Sequence, residues 1–379
     1  MDGSRCERAY RSAGFLLAVA LAGIFALPPQ GGAEPRTRYE LADLKALENA
    51  FSDLADVVRP SVVAIRGYQI RNSTERDSLV KVPIAQGSGF IISAEGHIAT
   101  NRHVLEDADV ITATLHDGRY YEATLRETDA RSDLAVLKIE ADNLKPVKWG
   151  DITRVRVNQW AFACGNPFGL ANHSGDSSIT VGVVSALGRQ MTQRISGDSQ
   201  VHYYGNLIET SAAINPGNSG GPLFNVDGEV IGVVTAIETS SGVNEGLGFA
   251  IPIDPNTRRI LETLSEGKEV RYGFLGVSVN DLEAPATRRV SDTRPHRGAR
   301  IVRIDPPEGP AGKAGLKPDD VVIEINGVPV IDTDHLVRMV GFTPVGSSVT
   351  ITYVREQVKR KATVMVGDRY ELLGLNVSN

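Results

Sequence analysis

Cysteine is scarce in this sequence of 379 residues: Cys6 and Cys164 are the only two. Cys6 precedes an apolar leader, so removal of that leader would leave Cys164 with no partner for an internal disulfide. There is no His-Glu-x-x-His and no paired-cysteine knuckle, so the familiar zinc sites are excluded and no metal is expected. No Gly-x-x-x-x-Gly-Lys phosphate loop is present either, which argues against ATP or any other bound cofactor. Long basic blocks are missing and the net charge is -6, so nucleic acid is not an expected partner. The one long hydrophobic run, Ala13 to Leu27, falls short of the ~20 residues that span a bilayer. Arg5, Arg8 and Arg11 precede it, and the small residues Gly31, Gly32 and Ala33 follow it. Residues 1–33 therefore read as a signal peptide cleaved after Ala33. The alternative is an uncleaved anchor in the inner membrane. An exported chain with no disulfide suits the periplasm or secretion by a bacterium.

What is abundant is glycine, valine, isoleucine and threonine in short runs. Residues 34–59 begin polar and then repeat Leu44, Leu47, Phe51, Leu54 and Val58 at helical spacing, up to Pro60. This helix either packs on its own domain or makes an oligomer contact. From Ser61 to Pro252 strand-like segments such as SVVAIRGYQI, HIATN, LAVLKIE and EVIGVVTAIE are bounded by turn pairs, among them Glu95-Gly96 and Asp227-Gly228. No long helices alternate with them, which favours antiparallel barrels over a doubly wound sheet. Asp254-Pro255 opens a helix that Gly267 can close. A charged link then leads to a second strand-rich domain, with a short helix over DTDHLVRMVG. The expected architecture is mostly β, with domains at 60–268 and 269–368 and a tail at 369–379.

The segment most informative about chemistry is Asn215-Pro-Gly-Asn-Ser-Gly-Gly-Pro-Leu223. A nucleophilic serine needs a tight turn, an accessible hydroxyl and backbone N–H groups aimed at a developing oxyanion. Gly217, Gly220 and Gly221 around Ser219 allow all three, although an ordinary glycine-rich loop would look the same. The spacing also fits the Gly-x-Ser-x-Gly elbow of α/β-hydrolases, whose acid and histidine follow the serine. Here the only later histidines are His296 and His335, both in the second domain. The chymotrypsin order places histidine and then aspartate upstream. His103 ends a strand in Ala99-Thr-Asn-Arg-His-Val104, and Asp133 stands at the mouth of an apolar strand, where it could hold an imidazole in one tautomer. Taken alone, Asp133 would read as a turn residue.

Together these segments resemble the HtrA (DegP/DegS) family of envelope proteases. The matching pieces are Gly87-Ser-Gly-Phe-Ile91, Thr100-Asn-Arg-His-Val104, Asp133-Leu-Ala-Val-Leu137, Gly165-Asn-Pro-Phe-Gly169, Gly217-Asn-Ser-Gly-Gly221 and Gly246-Leu-Gly-Phe-Ala-Ile-Pro252. The resemblance implies a two-barrel chymotrypsin-like protease domain followed by one PDZ domain. It makes His103 the general base, Asp133 its orienter and Ser219 the nucleophile, with Gly217 and Ser219 supplying the oxyanion-hole N–H groups. Ala213 falls at the floor of the substrate pocket, beside Ile214, and Ile237 lines it, which implies cleavage after small or medium aliphatic residues. The strand Val234 to Ile237 would pair with substrate. Gly246-Leu-Gly-Phe249 spells a PDZ signature, yet it falls in the protease. The PDZ carboxylate loop is instead expected at Phe274, Leu275, Gly276 and Val277. His335 is read as a solvated helix residue beside that groove. Arg102 and Ser211 depart from the family's usual asparagine and aspartate, without removing a catalytic group. The implied function is an ATP-independent serine endopeptidase acting on unfolded or regulatory envelope proteins, with C-terminal peptides binding the PDZ domain. The alternative is a catalytically silent, chaperone-like binding module. A homotrimer is implied, with Tyr39 and Phe51 as candidate contacts, and polar loops at Arg189–Gly205 and Glu238–Glu245 are candidates for regulation.

Overall fold

The computed structural model describes residues 41–72, 79–166, 177–194, 201–235, 247–282 and 297–373. The leader and Tyr39 lie outside them. The chain divides into two compact units between Phe51 and Ser52. Helix α1 (Leu41–Val58) crosses that boundary. Its first unit presents Leu41, Leu44 and Leu47 to solvent. Its last turns, at Leu54 and Val58, lie beside Gly228, and Val58 is buried. No described helix is long and apolar enough to cross a membrane.

Strands β1 (Val62–Asn72), β2 (Leu79–Ile91), β3 (His97–Asn101), β4 (Val110–Leu115), β5 (Tyr120–Asp129) and β6 (Leu134–Lys138) close a barrel in the order β1-β2-β3-β6-β5-β4. Its register sets apolar residues opposite one another on neighbouring strands. Val63 faces Leu115 and Ile65 faces Ala113 across β1 and β4, and all four are buried. With Ile91, Ile98, Val104 and Leu137 they form one core. Each such aliphatic side chain contributes about 1.5–3 kcal/mol on burial.

The second barrel uses β7 (Lys148–Trp149), β8 (Trp160–Gly165), β9 (Ser178–Arg194), β10 (Val201–Thr210), β11 (Pro222–Phe224), β12 (Glu229–Thr235) and β13 (Gly248–Pro252). Their order is β11-β8-β9-β10-β13-β12-β7, and a β11–β12 pairing closes the ring. Two expectations change here. Arg189–Gly205 reads as a polar loop, yet its described parts, 189–194 and 201–205, are paired strands, in which Val201 pairs with Arg194 and Tyr204 with Met191. Ladder hydrogen bonds come from the backbone, so a polar stretch can still pair as strands. Val234, the first residue of the segment expected to pair with substrate, has its backbone groups taken by the serine turn, while 236–237 lie outside the described residues. The Val234 N–H donates to Gly221 and its carbonyl accepts from Gly220, at 2.7 and 2.8 Å. The loop at Glu238–Glu245 lies outside the described residues.

Helix α2 (Pro255–Ser265) is capped by Asp254, whose side chain accepts the Thr257 N–H. It buries Ile260, Leu261 and Leu264. The second domain then comprises β14 (Gly273–Phe274), β15 (Val277–Asp281), β16 (Ala299–Ile304), α3 (Pro310–Lys313), β17 (Val321–Ile325), β18 (Val328–Pro329), α4 (Thr333–Gly341), β19 (Ser348–Arg355), β20 (Val358–Met365), β21 (Gly367–Asp368) and α5 (Arg369–Leu373). Its main sheet runs β15-β16-β17-β19-β20, so β15 is an edge strand. Its own core gathers Leu275, Ile301, Leu316, Leu336, Ile351 and Val364.

Candidate active site

Each barrel contributes one side of the site. The backbone turn from Arg102 to Leu105, just after β3, carries His103. Asp133 ends the turn between β5 and β6 in the left-handed region, at φ 56°. Such a conformation costs a non-glycine residue about 1–2 kcal/mol, less for aspartate, and here it is held from outside. The Asp133 carbonyl accepts from the Arg102 N–H and from Asn101 Nδ2, both at 3.0 Å. Its carboxylate faces His103 with both oxygens. Oδ1 accepts the His103 backbone N–H at 3.0 Å, and Oδ2 lies 2.7 Å from His103 Nδ1. Asp133 is 1% exposed, so water does not compete for these bonds. Burial alone would push the His103 imidazolium down. The adjacent Asp133 charge and hydrogen bond outweigh it, Glu106 adds to them against Arg102, and the net shift is upward.

Ser219 lies in the second barrel between β10 and β11. Asn215-Pro-Gly-Asn218 forms a tight turn closed by the Asn218 N–H on the Asn215 carbonyl at 3.0 Å. Pro216 and Gly217, the latter at φ 100°, occupy the positions of a type II turn, where a side chain at the second would be strained. Gly220 (φ 81°) presses so closely on Thr100 and Asn101 that a Cβ would lie 2.2 Å from Thr100 Oγ1. The serine turn therefore runs along the strand that leads to His103.

Ser88, which the sequence offered only as part of a matching motif, ties the barrels together. Its N–H donates to the Ser219 carbonyl at 2.8 Å and its hydroxyl to the Gly217 carbonyl at 2.6 Å. The same hydroxyl accepts from Asn166 N–H at 2.8 Å, and the Ser88 carbonyl accepts from Thr100 Oγ1 at 2.7 Å. Ser88 is fully buried, which stiffens the glycine turn from behind. Nothing in the local pattern around Ser88 could have announced bonds to residues 129 positions away.

The pocket residues separate. Ile214 is buried in the second barrel's core against Gly248. Ala213 is exposed, with its carbonyl accepting from Thr180 Oγ1 at 2.8 Å. Ile237 lies outside the described residues. Cys164 takes no part, since burial pushes its thiol up to about 12. Among the described residues no cluster of His, Cys, Asp and Glu could hold a metal ion.

In the second domain Phe274 and Val277 are half-buried, while Leu275 belongs to the core and offers only its backbone. The Leu275 and Gly276 carbonyls accept from Ala311 and Asp305 at 2.9 and 2.8 Å, and Gly276 sits at φ 75°. Asp281, ending β15, accepts the Thr333 N–H at 2.8 Å and so ties the edge strand to α4. His335 is not simply solvated. It is half-buried, its Nδ1 accepts the Ile331 N–H at 3.2 Å, and burial followed by the Arg338 charge pushes its pKa down.

Comparison with known proteins divides the chain in the same way. Residues 87–233 match the trypsin-like peptidase domain and residues 273–366 the PDZ domain. A probable periplasmic serine endoprotease, DegP-like, from Halomonas elongata is 43% identical over 301 residues, which cover 78% of this chain and 58% of that protein. A Bartonella henselae protein of the same description is 37% identical over 349 residues, covering 90% of this chain and 63% of that protein. The chain thus spans little more than half the length of these curated relatives. Among solved structures, the HtrA-type protease AlgW with a decapeptide superimposes at a TM-score of 0.68 with 30% identity, over 84% of this chain and 98% of that one. A serine endoprotease from Yersinia pestis gives 0.57 and 28%, over 84% and 97%.

Proposed function

Because the chain belongs to the HtrA-type, DegP-like family of serine proteases, we propose that it is an ATP-independent serine endopeptidase of the bacterial periplasm, acting on unfolded or regulatory proteins. The observation that carries this reading is the buried Asp133 carboxylate, which grips His103 through both ring and backbone beside the glycine turn of Ser219. In it Asp133 fixes the proton on His103 Nδ1 and leaves Nε2 to accept the Ser219 proton as Oγ attacks the scissile carbonyl. The Gly217 and Ser219 N–H groups receive the oxyanion, and the type II turn supports that role by fixing the 216–217 peptide. His103 then returns the proton to the leaving amine, and water hydrolyses the acyl-enzyme. Ala213, Ile214 and Ile237 are assigned to the pocket for a small or medium aliphatic residue. Residues 60–268 are taken as the protease domain and 269–368 as the PDZ domain, with 1–33 as the leader.

Peptide binding is assigned to the PDZ domain. A C-terminal carboxylate would meet the backbone N–H groups of Leu275, Gly276 and Val277, while the chain adds to the edge of β15 alongside α4. Casein hydrolysis is therefore expected to rise severalfold with a peptide ending in an apolar residue and a free carboxylate. The amidated peptide should activate less, because it brings no anion. Equal rates with no peptide, the acid and the amide would limit the PDZ domain to tethering, and no cleavage of casein at all would remove the protease reading.

A homotrimer is the inferred assembly. Leu41, Leu44 and Leu47 on α1 remain exposed at 67%, 58% and 43%, as a helix face does when a partner copy covers it; Phe51 and Tyr39 are assigned to the same contact. Light scattering on residues 34–379 should give about three protomer masses, and a monomer at micromolar concentration would refute it.

A further inference from the structure

The turn that presents Asp133 is built from both domains. It begins at Asp129 and ends at Asp133. Tyr272, the residue just before the Gly273 that opens the carboxylate loop, is 4% exposed, and its hydroxyl donates to Asp129 Oδ2. The same oxygen accepts the Ser132 N–H at 2.9 Å, and Ser132 adjoins Asp133. Arg131 lies over the Tyr272 ring, 4.5 Å from its centroid. Its Nη2 donates to the Val337 carbonyl of α4 at 3.1 Å. The segment that leads into the carboxylate loop and the helix α4, which flank the assigned peptide groove, both reach this one turn. At its far end the turn is held to the His103 segment through Arg102 and Asn101.

A phenol donating to a carboxylate is a charge-assisted bond, and burial strengthens it. Burial, and then the Asp129 charge, push the Tyr272 hydroxyl up, so it remains a donor at any working pH. The turn has no hydrophobic anchor of its own between Asp129 and Asp133, so these bonds hold its path. Catalytic geometry tolerates little error, and a shift of about 1 Å at a positioning contact can cost about 100-fold in rate.

We propose that Tyr272 and Asp129 are positioning residues for catalysis: the PDZ-side phenol holds the turn that presents Asp133 to His103, so that the seating of the PDZ domain is felt at the catalytic aspartate. This rests on the assignment of Ser219, His103 and Asp133 as a triad. Neither residue touches substrate. Both act through Asp133.

The test compares the full chain with Tyr272→Phe, which keeps the ring and deletes the donor, and with Asp129→Asn, which keeps an acceptor without the charge. Rates are measured on a chromogenic peptide ending in valine, per site counted by fluorophosphonate labelling run to completion. Tyr272→Phe is expected to lower kcat by about tenfold with KM little changed. The acidic limb of its kcat/KM profile should move to lower pH, because His103 loses part of the Asp133 charge that holds its proton. Asp129→Asn should fall between this variant and the parent. If Tyr272→Phe yields fewer labelled sites but matches the parent in kcat per site and in acidic limb, its role is structural only and the proposal fails. A parent that neither labels nor hydrolyses would bring down the triad assignment and this proposal together.

Discussion

Ser219→Ala is expected to abolish casein cleavage, with kcat falling by about 10^6-fold, the scale at which loss of a serine nucleophile acts on a triad that works as a unit. The size of the effect follows from which groups remain. Without Oγ no acyl-enzyme can form, and His103 can only activate water that the site was not shaped to hold. The fold has little reason to respond. The contacts that seat this turn fall on its backbone: Ser88 N–H on the residue's carbonyl, Ser88 Oγ on the Gly217 carbonyl, the Asn218 N–H on Asn215, and Gly220 and Gly221 against Val234. None of them uses the Ser219 side chain. Thermal unfolding and binding of a free-acid peptide to the PDZ domain should therefore match the parent. Residual hydrolysis above water would reflect oxyanion stabilisation alone. Cleavage of casein at a rate near that of the parent, in a preparation free of host proteases, would end the assignment of Ser219 as nucleophile.

The parts of this molecule that could be read from sequence are those whose chemistry is local. Gly217 and Gly220 bracket a serine that needs positive φ on both sides, and the structure places them at 100° and 81°. The strands from Val62 to Lys138 were legible as short Val-, Ile- and Thr-rich runs between turn pairs, whereas the outer half of β2, from Leu79 to Gln86, carries little burial and escaped that reading. Gly246-Leu-Gly-Phe249 looked like a PDZ loop, but Gly248 and Phe249 belong to β13, paired with β10 and β12 of the second barrel. The family resemblance, through Gly246-Leu-Gly-Phe-Ala-Ile-Pro252, puts that segment in the protease. Other features were hidden for physical reasons. β8 reads WAFACG, with small residues where a strand signal would want branched ones, and at Gly165 the reason is close approach, since a Cβ there would lie 2.7 Å from Ser88 Oγ and 2.8 Å from Asn218 Oδ1. The hairpin of β9 and β10 was hidden because its backbone ladder forms in a stretch of polar sequence. Tyr272 and Asp129 are 143 positions apart, and no periodicity or motif links residues so distant. Ser88 was visible only as a letter in a motif, since its function depends on the second barrel closing over it.

Asp133→Asn is the sharpest test of how the site is wired, and kcat is expected to drop by about 10^4-fold without unfolding the protein. The backbone argument comes first. Residue 133 sits at φ 56°, which asparagine tolerates as well as aspartate does. Its carbonyl bonds to Arg102 and Asn101 are unaffected. The side chain then faces a choice that the carboxylate never meets. Keeping Oδ1 on the His103 N–H directs Nδ2 at His103 Nδ1. An amide nitrogen only donates, so Nδ1 must accept and the ring proton moves to Nε2. An Nε2 that carries a proton cannot take one from Ser219. Rotating the amide would restore the ring bond but set a donor against the His103 N–H, a contact 3.0 Å long in the parent. Either arrangement loses the base or its support. The titration should report the same change. In the parent, Asp133 holds the His103 pKa above its ordinary value of about 6.5, so activity, which needs the neutral ring, rises with pH through a midpoint above that value. In the variant the charge is gone and burial remains, so the midpoint should fall below the ordinary value while the plateau collapses. A kcat/KM profile over about pH 5 to 9, per fluorophosphonate-labelled site, separates the two effects. A variant within tenfold of the parent, with an unmoved midpoint, would mean that Asp133 is a turn residue and that His103 is oriented by something else.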